Sequence, residues 1–168
     1  MLKKINRFHL LDLLTIILFL ALPYYLFDGK MYLGGDDTRL FYSYPFDFLK
    51  NVAYFSWYNV SSVGVNVSNQ YLLPFISIWS LLDILINNKI VLSYFAFSLP
   101  LILGFLYFKK FVRELFNLGN TYSFELYLGC LCYILSPIII FDQLFIFLTT
   151  IWLLGVVPAV GYYYLRYL

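Results

Sequence analysis

The chain has 168 residues, of which 62% are hydrophobic and 12% charged, with a mean hydropathy of +0.81 and a net charge of +2. Soluble domains carry roughly 45–50% apolar and about 25% charged residues, so a water-soluble fold could not hide this much apolar surface. The small net charge gives no case for nucleic-acid binding. Aromatic residues reach 23%, with 17 Tyr and 18 Phe, and they gather where apolar runs meet polar stretches, as rings at headgroup depth do.

The composition predicts an all-α integral membrane protein. A crossing helix needs about 20 mostly apolar residues, and four segments qualify: Leu10 to Phe27, Ile90 to Phe108, Phe124 to Phe141 and Leu144 to Leu165. The first follows Lys3, Lys4 and Arg7 and is trailed by Pro23-Tyr24-Tyr25-Leu26 rather than a small-residue cleavage site, so it reads as an uncleaved helix. His9 beside it lacks a second histidine or an acidic cluster and reads as interfacial and structural. A fifth run, Tyr71 to Ile86, has about 16 residues, roughly 24 Å of helix against about 30 Å of hydrocarbon, and contains Asp83.

The basic residues choose between the two topologies. With Tyr71 to Ile86 re-entrant or interfacial, Lys3, Lys4, Arg7, Lys109, Lys110, Arg113 and Arg166 lie inside, against Lys30, Arg39, Lys50 and Lys89 outside. If that segment crosses, the bias reverses. The expectation is therefore four crossings, a cytoplasmic amino terminus, and one long extracytoplasmic loop from Asp28 to Lys89. The basic run Lys109 to Phe116 should continue the second crossing and stop at Asn117-Leu118-Gly119-Asn120, with Ser123 capping the third. Pro23, Pro100, Pro137 and Pro158 fall in or near crossings, and each frees a carbonyl that another group must satisfy. Cys130 and Cys132, two residues apart on a helix, face different directions and read as small core residues rather than a metal or redox pair.

A loop of this length invites a function. Its first part holds Asp28, Asp36, Asp37 and Asp47, with Gly34-Gly35-Asp36-Asp37-Thr38-Arg39 just past the first helix. Two glycines permit a sharp turn. The carboxylates are open to two readings: a solvated turn capping a helix from about Leu40, or a general base or metal-binding acid whose adjacent charges need Arg39, a cation or a substrate in compensation. The following Tyr42, Tyr44-Pro45, Phe46, Phe48, Phe55, Trp57 and Tyr58 look like helices lying flat on the membrane, either anchoring there or stacking on sugar rings. Asn59-Val60-Ser61 and Asn66-Val67-Ser68 are sequons that fit an exposed segment.

The order Gly35-Asp36, Phe41-Tyr42, Tyr44-Pro45, Trp57 with Asn59, Gly64 and Leu73-Pro74 resembles the first extracytoplasmic loop of YfhO-like proteins, a branch of the GT-C superfamily of membrane glycosyltransferases. The likeness runs on through Tyr107 to Arg113, Leu118-Gly119, Tyr133-Ile134-Leu135-Ser136-Pro137 and Val157-Pro158. It implies sugar transfer from a polyprenyl-phosphate donor to a glycan, lipid or protein acceptor at the outer face. By position, Asp36 matches the family's loop acid, with Asp37 as its near equivalent. In the implied inverting displacement the carboxylate takes the acceptor's proton, while Arg39, Lys50 or a divalent metal meets the leaving phosphate. Tyr44 and Trp57 are the substrate-stacking candidates. Enzymes of this superfamily have more crossings than four, so the expectation is the amino-terminal portion of a longer protein. The competing readings are a noncatalytic multi-pass subunit and a transporter fragment, for which only Asp12, Glu125 and Asp142 approach a pathway.

Overall fold

The computed structural model describes residues 7–30, 45–54, 57–58, 65–66, 73–119, 123–136 and 152–168. In chain order these form α1 (Arg7–Leu26), α2 (Pro45–Tyr54), β1 (Trp57–Tyr58), β2 (Val65–Asn66), α3 (Leu73–Ile86), α4 (Lys89–Leu115), α5 (Phe124–Leu135) and α6 (Leu153–Tyr167). Among the described residues the protein is helical, save for one antiparallel ribbon that pairs Trp57 with Asn66 and Tyr58 with Val65. That ribbon corrects the expectation of flat helices as far as Tyr58. Aromatic residues sit as readily on a pleated strand, and here they do.

The local chemistry explains where the helices stop. Asp28 and Gly29 leave α1 through the left-handed region (φ 51° and 69°), which Asp tolerates better than most residues and Gly adopts freely. Between α3 and α4 two asparagines suffice. Asn87 (φ 47°) donates its N–H to the Asp83 carbonyl at 2.9 Å and ends α3, and the Asn88 side chain accepts from the amides of Ile90 and Val91 at 3.0 and 3.2 Å and starts α4. At the far end of α4, Asn117 turns left-handed (φ 51°), and the amides of Leu118 and Asn117 reach back to the carbonyls of Arg113 and Glu114, a 6→1 and 5→2 pair. Ser123 then caps α5, its Oγ accepting from the Leu126 amide at 3.2 Å. The stop and the cap fall where the sequence puts them.

Among the described residues α4 is the one helix long and apolar enough to cross a membrane: 27 residues, with a mean hydropathy of 2.0 over its most apolar stretch. At 1.5 Å per residue it spans about 40 Å. Leu10–Leu26, Ile76–Ile86 and Phe124–Leu135 are apolar but shorter. The continuous helix expected from Phe124 to Phe141 is corrected, because α5 ends at Leu135 after 12 residues, about 18 Å. Pro137 disfavours helical backbone at the residue before it, and Ser136 accordingly lies at φ −51°, ψ 130°. Of the expected segment Leu144 to Leu165, residues 144–151 lie outside the described part, Trp152 precedes α6, and residues 153–165 are in it.

The core is organised around α4. On one side α1 runs antiparallel to it, with Asp12 against Lys109, Phe19 edge-on to Phe105 (centroids 6.2 Å) and Phe27 edge-on to Phe97 (5.3 Å). On another side α6 runs parallel to it at very close range. A Cβ on Gly155 would stand 2.9 Å from the Leu103 Cβ, one on Gly104 3.0 Å from the Leu154 carbonyl oxygen, and one on Gly161 2.8 Å from the Phe111 ring. Small residues at such crossings are how apolar helices pack where no hydrophobic force drives them together. α5 crosses this pair and buries Leu126, Cys130 and Ile134. Cys130 is therefore the small core residue expected, while Cys132 is exposed, and both are free thiols.

At Pro158 the freed carbonyl finds a donor from a neighbouring helix. Pro158 has no N–H for the Leu154 carbonyl one turn back, and the Tyr133 hydroxyl of α5 donates to that oxygen at 3.2 Å, while the Tyr133 ring stacks on Phe108 of α4 at 4.1 Å. Tyr133→Phe keeps the ring and loses the bond, and is expected to cost about 0.5–1.5 kcal/mol in reversible unfolding. In a Pro158→Ala background the helix supplies its own donor, so the same substitution should cost clearly less. An equal cost in both backgrounds would detach Tyr133 from the proline.

Candidate functional site

The long loop leaves and rejoins the helices at one end of the α1/α4 pair. After α1 the Lys30 amide donates to the Phe27 carbonyl at 2.8 Å, and the Tyr94 hydroxyl, one turn into α4, donates to the Lys30 carbonyl at 2.9 Å. Phe27 packs against Phe97 and Tyr94. The beginning of the loop is thereby pinned beside its end. Asp28 and Lys30 form a loose pair at 3.9 Å, both strongly exposed.

The return is made by α2 and α3. Pro45 opens α2, where a missing N–H costs nothing, and Asp47 sits in the first turn, where the helix dipole favours a carboxylate. α2 packs on α3, which buries Ile76, Trp79, Ser80 and Asp83, the i, i+3, i+4, i+7 stripe of a helix packed on one side. Trp79 meets Trp152, just ahead of α6, edge-on at 5.9 Å.

Asp83 does not face lipid. Its Oδ2 accepts from the Lys89 Nζ at 2.5 Å, and the carboxylate side chain is only 9% exposed. Each partner sits at the end of its own helix where the dipole opposes its charge, and pairing across the two-asparagine corner cancels both penalties. The second buried pair joins Asp12 of α1 to Lys109 of α4, with side chains 15% and 8% exposed. Lys109 also lies over the Phe105 ring at 5.3 Å. Between Lys89 and Lys109, α4 carries no charge, and the twenty-residue separation gives about 30 Å, the thickness of a bilayer's hydrocarbon core. Neighbouring the second pair, the Thr15 hydroxyl donates to the Leu11 carbonyl at 2.9 Å and so accepts from the Tyr127 hydroxyl at 2.6 Å, tying α1 to α5.

Asp36, Asp37, Arg39 and Tyr44 lie outside the described residues. Lys50 is exposed on α2, and Trp57 belongs to β1. Among the described residues no three His, Cys, Asp or Glu side chains gather as metal ligands. Sequence reasoning passed over both ion pairs and the role of Tyr133. The one available signal was position: Asp12 stands alone at the edge of one apolar run and Lys109 is the first charge after another, which is where partners across helices are placed. Asp12, a candidate pathway residue for the transporter reading, is committed to Lys109 instead.

No family model, curated protein or solved structure matches the chain.

Proposed function

We propose that this chain is a multi-pass cell-membrane protein with a cytoplasmic amino terminus, and that it is a GT-C-type glycosyltransferase of the YfhO-like branch or the amino-terminal portion of one. Its extracytoplasmic loop transfers a sugar from a polyprenyl-phosphate donor. The observation that carries the reading is the antiparallel packing of α1 and α4. A chain that leaves one helix and enters its antiparallel neighbour at the same end makes an even number of crossings in between. α2 and α3, with 10 and 14 residues, give about 15 and 21 Å, each short of a bilayer core. This supports the stretch from Asp28 to Lys89 as one loop on one face. The parallel course of α4 and α6 agrees with both running from outside to inside.

In that arrangement the chain reaches Asp36 six residues after Lys30, at the surface where a donor with a lipid tail must present its phosphate. The acceptor hydroxyl attacks the anomeric carbon as Asp36 takes its proton. The bond from that carbon to the phosphate oxygen breaks, and the electron pair leaves with the phosphate toward Arg39 and Lys50. Tyr44 and Trp57 supply aromatic faces for sugar. The direct test is transfer of labelled sugar from polyprenyl phosphate by the complete protein in vesicles.

The topology is tested separately, in a Cys130→Ala/Cys132→Ala background. Cysteines placed at Lys30 and Asn88, both exposed, should react with an impermeant reagent from outside, and one at Lys110 only after the membrane is opened. Labelling of Lys30 and Asn88 from opposite sides would mean that α3 crosses, and would remove the loop.

A further inference from the structure

The first helix does not run straight out into the long loop. Asp28 and Gly29 both take positive φ (51° and 69°), and the Lys30 amide donates to the Phe27 carbonyl at 2.8 Å. Positive φ at both central positions of a four-residue turn marks the type I′ geometry, which an Asp-Gly pair suits. A turn of this kind reverses the chain, so Lys30 heads back across the end of α1. There the Tyr94 hydroxyl of α4 donates to the Lys30 carbonyl at 2.9 Å, across a separation of 64 residues in sequence. The Tyr94 ring is half-buried and packs on Phe27 (centroids 6.2 Å), which also meets Phe97 edge-on at 5.3 Å.

The two ends of the loop are therefore held by different means. The returning end is tied covalently: α3 joins α4 through Asn87 and Asn88, and the Asp83–Lys89 pair spans that corner. The departing end has no such link, because the whole loop lies between Lys30 and α4 along the chain. Its place beside α4 rests on the Phe27 ring and, beyond the turn, on the Tyr94 hydroxyl. A bond at Lys30 fixes the last residue of the turn, and the chain beyond starts from that point. Asp36 follows six residues later.

We propose that Tyr94 is a positioning residue for the extracytoplasmic loop: its hydroxyl holds the Phe27–Lys30 turn against α4 and so sets the point from which the loop acids depart. Its kinetic consequence rests on the transferase reading above, whereas the anchoring itself does not. Tyr94 touches neither donor nor acceptor in this scheme and acts through the chain it holds.

The test uses the complete protein in vesicles and reads two quantities. The first is amide hydrogen exchange over Asp28–Lys30, followed by mass spectrometry. Tyr94→Phe keeps the ring on Phe27 and loses the bond. Exchange there should quicken roughly twofold to fivefold, the lower part of what one neutral hydrogen bond contributes, since this one is exposed. Gly29→Ala, which strains the turn at φ 69°, should do the same. Tyr127→Phe, which loses a hydroxyl bond to Thr15 elsewhere among the helices, should not. Unchanged exchange in Tyr94→Phe would overturn the anchor. The second quantity is transfer of labelled sugar from polyprenyl phosphate. In Tyr94→Phe kcat should fall about threefold with KM little altered, because a smaller fraction of the protein holds its loop in place. In an Asp36→Asn background the same substitution should add almost nothing, as expected of a residue that acts through the loop acid. An equal fall in both backgrounds would overturn the positioning role. Full transfer by both Asp36→Asn and Asp37→Asn would instead remove the base assignment, and exchange over the turn would still decide the anchor.

Discussion

Asp36→Asn in the complete protein should lower sugar transfer by about 10²–10⁴-fold, the usual contribution of a general base, with insertion and stability nearly unchanged. Asparagine keeps the shape and one acceptor oxygen but cannot take a proton from the attacking hydroxyl. Asp37→Asn is the necessary companion, because the neighbouring carboxylate could assume the role. Two described acids serve as controls. Asp28 is exposed beside Lys30, and Asp47 is exposed in the first turn of α2, so Asp28→Asn and Asp47→Asn should matter little. Rates are to be compared at matched expression, with a labelled polyprenyl-phosphate donor. Unaltered rates in both Asp36→Asn and Asp37→Asn would leave only a solvated, helix-capping turn at that position.

Breaking the buried Asp12–Lys109 pair should cost the helical core more than most single changes. Removing one partner leaves a charge in an apolar interior, a change that typically costs about 3–5 kcal/mol. Asp12→Ala and Lys109→Met should each lose about that much in reversible unfolding from detergent or bicelles. The pair itself is not what stabilises most. Its attraction mainly offsets desolvation, so Asp12→Leu/Lys109→Met should recover nearly all of the loss. Single variants within about 0.5 kcal/mol of the unaltered protein would mean that both charges reach water freely at the membrane edge. Asp83→Ala should behave similarly but less severely, since the Lys89 side chain is 39% exposed and can be rehydrated.

Much of the fold was legible because the signals are local. Left-handed turns fall on Asp28, Asn87, Asn117 and Gly119, residue types that tolerate them, and Asn88 and Ser123 cap with their own side chains. The length of α4 follows from one uninterrupted apolar run with basic residues at its end. The end of α5 at Leu135 was also local, since Pro137 was in view, but the apolar run continues past it and hydropathy outweighed backbone chemistry in the expectation. The β1–β2 ribbon was missed because aromatic residues read equally well as an interfacial helix or a strand.

By itself the sequence determined that the chain is apolar and helical, where most helices begin and end, and which residues resemble a transferase loop. It did so through composition, turn chemistry and motif order, all properties of neighbours along the chain. Only the tertiary structure decided which groups meet across it: that Asp12 answers Lys109 ninety-seven residues away, that Asp83 is neutralised by Lys89 rather than facing lipid, that Tyr133 supplies the donor that Pro158 withholds, and that α4 touches α6 through glycines. Those pairings depend on which faces of the helices turn toward each other. Helical periodicity restricts that choice but does not make it, because in so apolar a chain nearly every face is eligible for burial.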